Sequence, residues 1–84
     1  MNHYCCCYHF EYFPKGFQVR YERDNTTTKQ YIPYRQIVTF RHEYLFDDKL
    51  YVVTLLLKES LKYTYQFKSK DESEKLYDTI LQNQ

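Results

Sequence analysis

The sequence predicts an α+β domain: an antiparallel, strongly bent meander of five to six strands closed by one C-terminal helix. Three observations predict it. In Leu61-Lys62-Tyr63-Thr64-Tyr65-Gln66-Phe67 apolar or aromatic side chains alternate with polar ones, the period of a strand with one face on a core. Ser69 and Glu72 follow at capping-box spacing, so that a hydroxyl and a carboxylate can each accept from an orphan N–H at a helix start. Leu76, Tyr77, Ile80 and Leu81 then recur as a short apolar stripe, which places a helix over about residues 70–82 against a sheet.

The other elements follow in chain order. Residues 4–13 read as a first strand, with Tyr4, Cys6, Tyr8, Phe10 and Tyr12 on one face and Cys5, Cys7, His9 and Glu11 on the other. Phe13-Pro14-Lys15-Gly16 suits a type I turn, because proline supplies the fixed φ of its second position. Phe17, Val19 and Tyr21 alternate with Gln18, Arg20 and Glu22, giving a second strand over 16–22 and a first hairpin. Residues 23–30 carry no apolar side chain and read as an exposed loop, after which Tyr31 and Ile32 can continue as strand. Pro33 has no N–H to give a ladder and sets this segment at an edge or bend. A strand over 37–46 carries Val38, Phe40, His42 and Tyr44 on one face, and Asp47-Asp48 make its turn. Residues 49–58 are apolar with little alternation, the mark of a central strand covered on both sides, and Glu59-Ser60 lead into the last strand, 61–68.

Composition bounds the class. Eighty-four residues leave room for one core, and eleven Tyr and six Phe give that core much apolar surface per residue. A formal charge of +1 offers no broad attraction for nucleic acid or an anionic membrane. No apolar run approaches the ~20 residues that span a bilayer, and the N-terminus lacks the pattern of a secretory signal. Three adjacent cysteines do not make a disulfide framework and fit a reducing compartment, so the expected location is cytoplasmic. The abundance of Lys, Tyr, Ile, Phe and Asn is typical of A/T-rich coding, which points to a low-GC bacterium or its phage.

The strand order with the helix last resembles the pleckstrin-homology-like superfold, particularly its small bacterial members. The resemblance covers roughly residues 31–82. It is carried by Tyr31-Ile32-Pro33-Tyr34-Arg35-Gln36-Ile37, similar to the segment those domains place before a central strand, and by Tyr65-Gln66-Phe67-Lys68-Ser69-Lys70-Asp71, similar to their strand-to-helix junction. It implies an abbreviated barrel and a binding module. Lipid-binding members flank a long first loop with converging cations; here a tight turn offers Lys15, with Arg20 and Arg23 separated by Glu22, so a phosphoinositide is not the expected ligand.

His3, Cys5, Cys7, His9 and Glu11 share one face of the first strand and include metal-ligating types. Same-face neighbours on a strand stand about 6.5 Å apart, so four in succession span about 20 Å and cannot all reach one ion. The cysteines read instead as small hydrophobes, and no metal or cofactor is expected. Cys7, His9 and Glu11 also mimic a nucleophile, a base and an orienter, but one extended strand does not bring such groups together, and no glycine-rich turn beside them supplies an anion hole. No phosphate loop, dinucleotide fingerprint or helical His pair occurs.

The expectation is therefore a non-catalytic interaction domain that binds a protein partner, as adaptor or inhibitor, or binds a second copy of itself. Its anchors would be Tyr4, Tyr8, Tyr12, Tyr31 and Tyr34, because tyrosine is among the residue types that dominate interface energetics. The alternative is an anionic ligand, a lipid headgroup or single-stranded nucleic acid, held by Lys15, Arg20, Arg35 and Arg41 beside tyrosine rings.

Overall fold

A computed structural model describes residues 8–84 and shows six strands followed by one helix. The strands are β1 (His9–Phe13), β2 (Gly16–Arg23), β3 (Thr26–Pro33), β4 (Ile37–Leu45), β5 (Leu50–Leu57) and β6 (Lys62–Phe67), and the helix is α1 (Lys70–Gln82). They form two three-stranded antiparallel sheets, ordered β1-β2-β3 and β4-β5-β6, neither closed nor curled. The expected single bent meander is corrected here. The chain leaves the first sheet through Pro33, turns once in a short 3-10 segment at Tyr34–Gln36, and starts the second sheet at Ile37. The Tyr34 N–H donates to the Lys15 carbonyl at 3.0 Å, so the connection is tied back to the β1–β2 turn and β4 does not return alongside β3.

Residues 23–30 are also not a loop. Asp24 and Asn25 alone form the turn, with φ of 51° and 64°, and Arg23 already faces Thr26 in the β2–β3 register. Positive φ at both central residues is the signature of a primed hairpin turn, which Asp and Asn tolerate. With a single glycine in the chain, the remaining left-handed positions among the described residues fall to Lys49, Glu59 and Ser60, at about 1 kcal/mol or more each. Gly16 is needed for space instead: a Cβ there would sit 2.6 Å from both the Ile32 carbonyl and the Tyr31 hydroxyl.

The inner faces of the two sheets share one core. Phe17 and Val19 from β2 meet Val53 and Leu55 from β5, and all four are fully buried. Aromatic rings join the sheets at their margin, with Phe10 5.4 Å from Phe67 and Tyr8 5.4 Å from Tyr65 in an edge-on contact. Among the described residues, β1 keeps the alternation expected of it, Phe10 and Tyr12 turned inward and His9 and Glu11 outward; Tyr4, Cys5, Cys6 and Cys7 lie outside the described residues.

In β4 the ladder slips between Ile37, opposite Leu57, and Thr39, opposite Leu56. The bulge at Val38 lets Ile37 and Phe40 both turn inward although they stand three residues apart, one more than the strand period of two, and it leaves Val38 exposed. β5 is central in its sheet, as expected. Val53, Leu55 and Leu57 face the core, while Val52 on the opposite face is buried between Glu43 and Gln66, long side chains whose stems cover apolar surface.

Helix α1 begins as its capping chemistry requires, the Glu72 N–H donating to the Ser69 hydroxyl at 3.3 Å. Its buried stripe is Ser73, Leu76 and Ile80, with Tyr77 half-buried, and Leu81 is 52% exposed. At 100° per residue, Leu81 lies about 140° from Leu76, too far round to share its contact. Among the described residues no helix is long and apolar enough to cross a membrane.

Candidate interaction surface

The most exposed large apolar side chain among the described residues is Phe46, at 79%, with Tyr44 and Leu45 beside it at 40% and 37%. All three stand at the tip of the β4–β5 hairpin. A four-residue loop joins Leu45 to Leu50, and it is held by the Lys49 N–H donating to the Leu45 carbonyl at 2.8 Å, with Lys49 at φ 55°. The Phe46 ring stands edge-on to Tyr44 at 5.1 Å, and Tyr44 packs on Tyr51 at 4.6 Å. Beneath these, His42 lies between Tyr51 at 6.2 Å and Tyr77 of α1 at 5.8 Å. A run of rings therefore leads from the helix to the tip, where Phe46 ends it with one edge-on contact to Tyr44. Asp47 and Asp48 set two exposed carboxylates next to the ring.

His42 also links sheet to helix. Its Nε2 is 2.9 Å from the Ser73 hydroxyl, which donates its one proton to the Lys70 carbonyl at 2.8 Å. The hydroxyl must then accept from His42, so Nε2 carries hydrogen. The spacing is that of a nucleophile and its base, but Ser73 is fully buried and no substrate in solvent can reach it; the pair acts as a polar strut between β4 and α1.

The residues singled out as ligand contacts do not converge. Lys15 occupies the β1–β2 turn and Arg35 the 3-10 segment tied to it, both exposed. Arg20 lines a depression on the outer face of the first sheet with His9 and Lys29. Arg41 lines another, on the outer face of the second sheet, with Thr54, Leu56 and Lys62. Arg41 also pairs with Glu43 at 3.6 Å in solvent, an interaction of small net value. His9 is the one metal-ligand candidate among the described residues, which contain no cluster of three His, Cys, Asp or Glu able to hold an ion; His3, Cys5 and Cys7 lie outside them.

The tyrosines divide. Tyr8 and Tyr12 are half-buried in the aromatic layer, with Lys75 of α1 5.3 Å over the Tyr12 ring. Tyr31 is 48% exposed, lies over Gly16 and sits 6.3 Å from Phe13. Tyr4 lies outside the described residues. Tyr34 is a core residue, 3% exposed and in ring contact with Phe17, so it offers no surface to a partner. Burial raises the phenol pKa of Tyr12 well above its ordinary value, helped by the facing Tyr34 and Glu72; that of Tyr65 rises through burial and its neighbours Tyr63, Tyr21 and Tyr8; that of Tyr34 rises through burial and Tyr31. These three hydroxyls stay protonated through the neutral range and do not act as bases.

The Tyr34 hydroxyl is buried without a hydrogen-bond partner among the described residues. Removing an unpaired buried hydroxyl relieves a desolvation cost, so Tyr34→Phe is expected to hold or raise stability by about 1 kcal/mol. Urea unfolding of the two proteins measures it, and a loss greater than about 1 kcal/mol would show that the hydroxyl is bonded in the native state.

Sequence reasoning passed over Phe46 as the end of a strand. The usable signal was its place directly before the Asp47-Asp48 turn, where no facing strand remains to bury a ring. No protein-family model, curated protein or solved structure matches this chain.

Proposed function

We propose that this chain is a non-catalytic protein-binding module, an adaptor or an inhibitor, that anchors its partner with the tip of the β4–β5 hairpin. The observation that carries the reading is Phe46, 79% exposed at the end of a run of rings through Tyr44 and Tyr51. Burying such a ring on a partner gains roughly 2 kcal/mol, enough for about thirtyfold in affinity from one side chain. Asp47 and Asp48 favour an apolar pocket with basic groups at its rim, and they disfavour insertion into an anionic membrane. The finer reading of the fold belongs to the same proposal: an abbreviated pleckstrin-homology-like domain working in the cytoplasm. The fold part of this reading is supported by β6, the Ser69 cap and α1 in that order and by the packing of α1 on the second sheet.

The test is capture from a lysate at low and high salt with the natural chain and Phe46→Ser as paired baits. A protein held by the first, released by the second and still held at high salt is the expected result. The variant should weaken binding by about tenfold or more and leave folding unchanged, since the ring is mostly in solvent. Equal recovery on both baits would remove the tip from the interface, and recovery of only nucleic acid or lipid at low salt would overturn the protein-binding reading.

A further inference from the structure

We propose that the outer face of the first sheet is a binding site for a single compact oxyanion of the phosphate type, held between Arg20 and Lys29 with His9 as a third donor. This goes beyond the protein-binding reading and uses the other sheet. His9 faces Arg20 in the β1–β2 register and Arg20 faces Lys29 in the β2–β3 register, so the three side chains form one row across three strands. All three are exposed, and they border a shallow depression of about 320 Å³ whose far side is lined by Glu11 and Gln18.

Two observations make the row more than scattered surface charge. Directly opposed like charges on neighbouring strands are unfavourable, yet among the described residues neither Arg20 nor Lys29 has an ion pair; the ion pairs lie elsewhere, at Arg41–Glu43 and Lys70–Glu74. A bound oxyanion supplies a counter-charge within the row, where no described side chain stands at ion-pair distance, with the Arg20 guanidinium offering two parallel N–H donors. The flanking rows then restrict what binds. Glu11 faces Gln18 on one side of the row and Glu22 faces Thr27 on the other, so the positive charge is confined to one row between two carboxylates. A nucleic acid strand would need cations in successive rows to track its phosphates and meets Glu11 or Glu22 instead. A lone phosphate spans only the cationic row.

The test is an amide NMR titration of the folded chain with inorganic phosphate at constant ionic strength, with chloride as balancing ion. Saturable shifts at His9, Arg20 and Lys29, with a dissociation constant on the order of millimolar, are expected for an exposed site with few contacts. Arg20→Gln and Lys29→Gln, both at exposed positions, should each weaken binding by about fivefold or more, while Lys15→Gln should leave it unchanged. A parallel titration with phenyl phosphate separates the sources. Tighter binding than inorganic phosphate would assign a phosphoester, and equal binding would assign free phosphate. Linear shifts spread over every basic residue, or saturable shifts that survive both Gln variants, would overturn the site.

Discussion

Phe17→Ala is expected to cost about 3 to 5 kcal/mol, a large part of the total stability of a domain this size. Phe17 is fully buried and stands within ring contact of Phe10, Tyr12, Tyr34 and Tyr65, at 5.9, 6.3, 6.3 and 6.5 Å. Those partners come from both sheets and from the connection between them, so the truncation opens a cavity where the two halves of the fold meet. The rings around it are rigid and collapse poorly into the space. Urea unfolding should show the midpoint falling with an unchanged slope, as expected when stability changes and the exposed surface does not. A loss below about 1 kcal/mol would mean that the sheets do not share this core.

The second large effect separates two readings of the helix. Leu76→Ala should cost about 2 to 5 kcal/mol, because Leu76 is fully buried against the second sheet, whereas Leu81→Ala should stay within about 0.5 kcal/mol at a position 52% exposed. The sequence stripe weighted the two leucines alike. Equal losses would restore the stripe of Leu76, Tyr77, Ile80 and Leu81 and contradict the buried face built on Ser73, Leu76 and Ile80.

That contrast also shows what was legible in the chain and why. The β6–α1 junction depends on local chemistry, alternation followed by a hydroxyl cap, and it stands where the residues put it. β3 was hidden because it is an edge strand whose outward positions, Thr27, Lys29 and Tyr31, are exposed and whose one buried residue is Ile32. Three β-branched threonines after Asp24-Asn25 were the available sign of a hairpin. The bulge at Val38 left no mark, since Val38, Phe40 and His42 alternate regularly with polar residues in the sequence although the ladder slips there. The division into two sheets depends on a hydrogen bond between Tyr34 and Lys15, nineteen residues apart by their numbers, and no local pattern encodes it. The candidate sites follow the same rule. His9, Arg20 and Lys29 become neighbours only through strand register, and Phe46 is left bare only because the strands beside it end.

The hairpin tip and the row of His9, Arg20 and Lys29 lie on different sheets, so the two proposed sites do not compete for surface. Whether the tip is the anchor is decided most directly by amide hydrogen exchange of this chain, free and bound to the protein it captures. Protection gained over residues 44–50, with little change at Thr26–Pro33, is the predicted result. Protection confined to β3 or to the row at His9, Arg20 and Lys29, with 44–50 exchanging as in the free chain, would contradict the account.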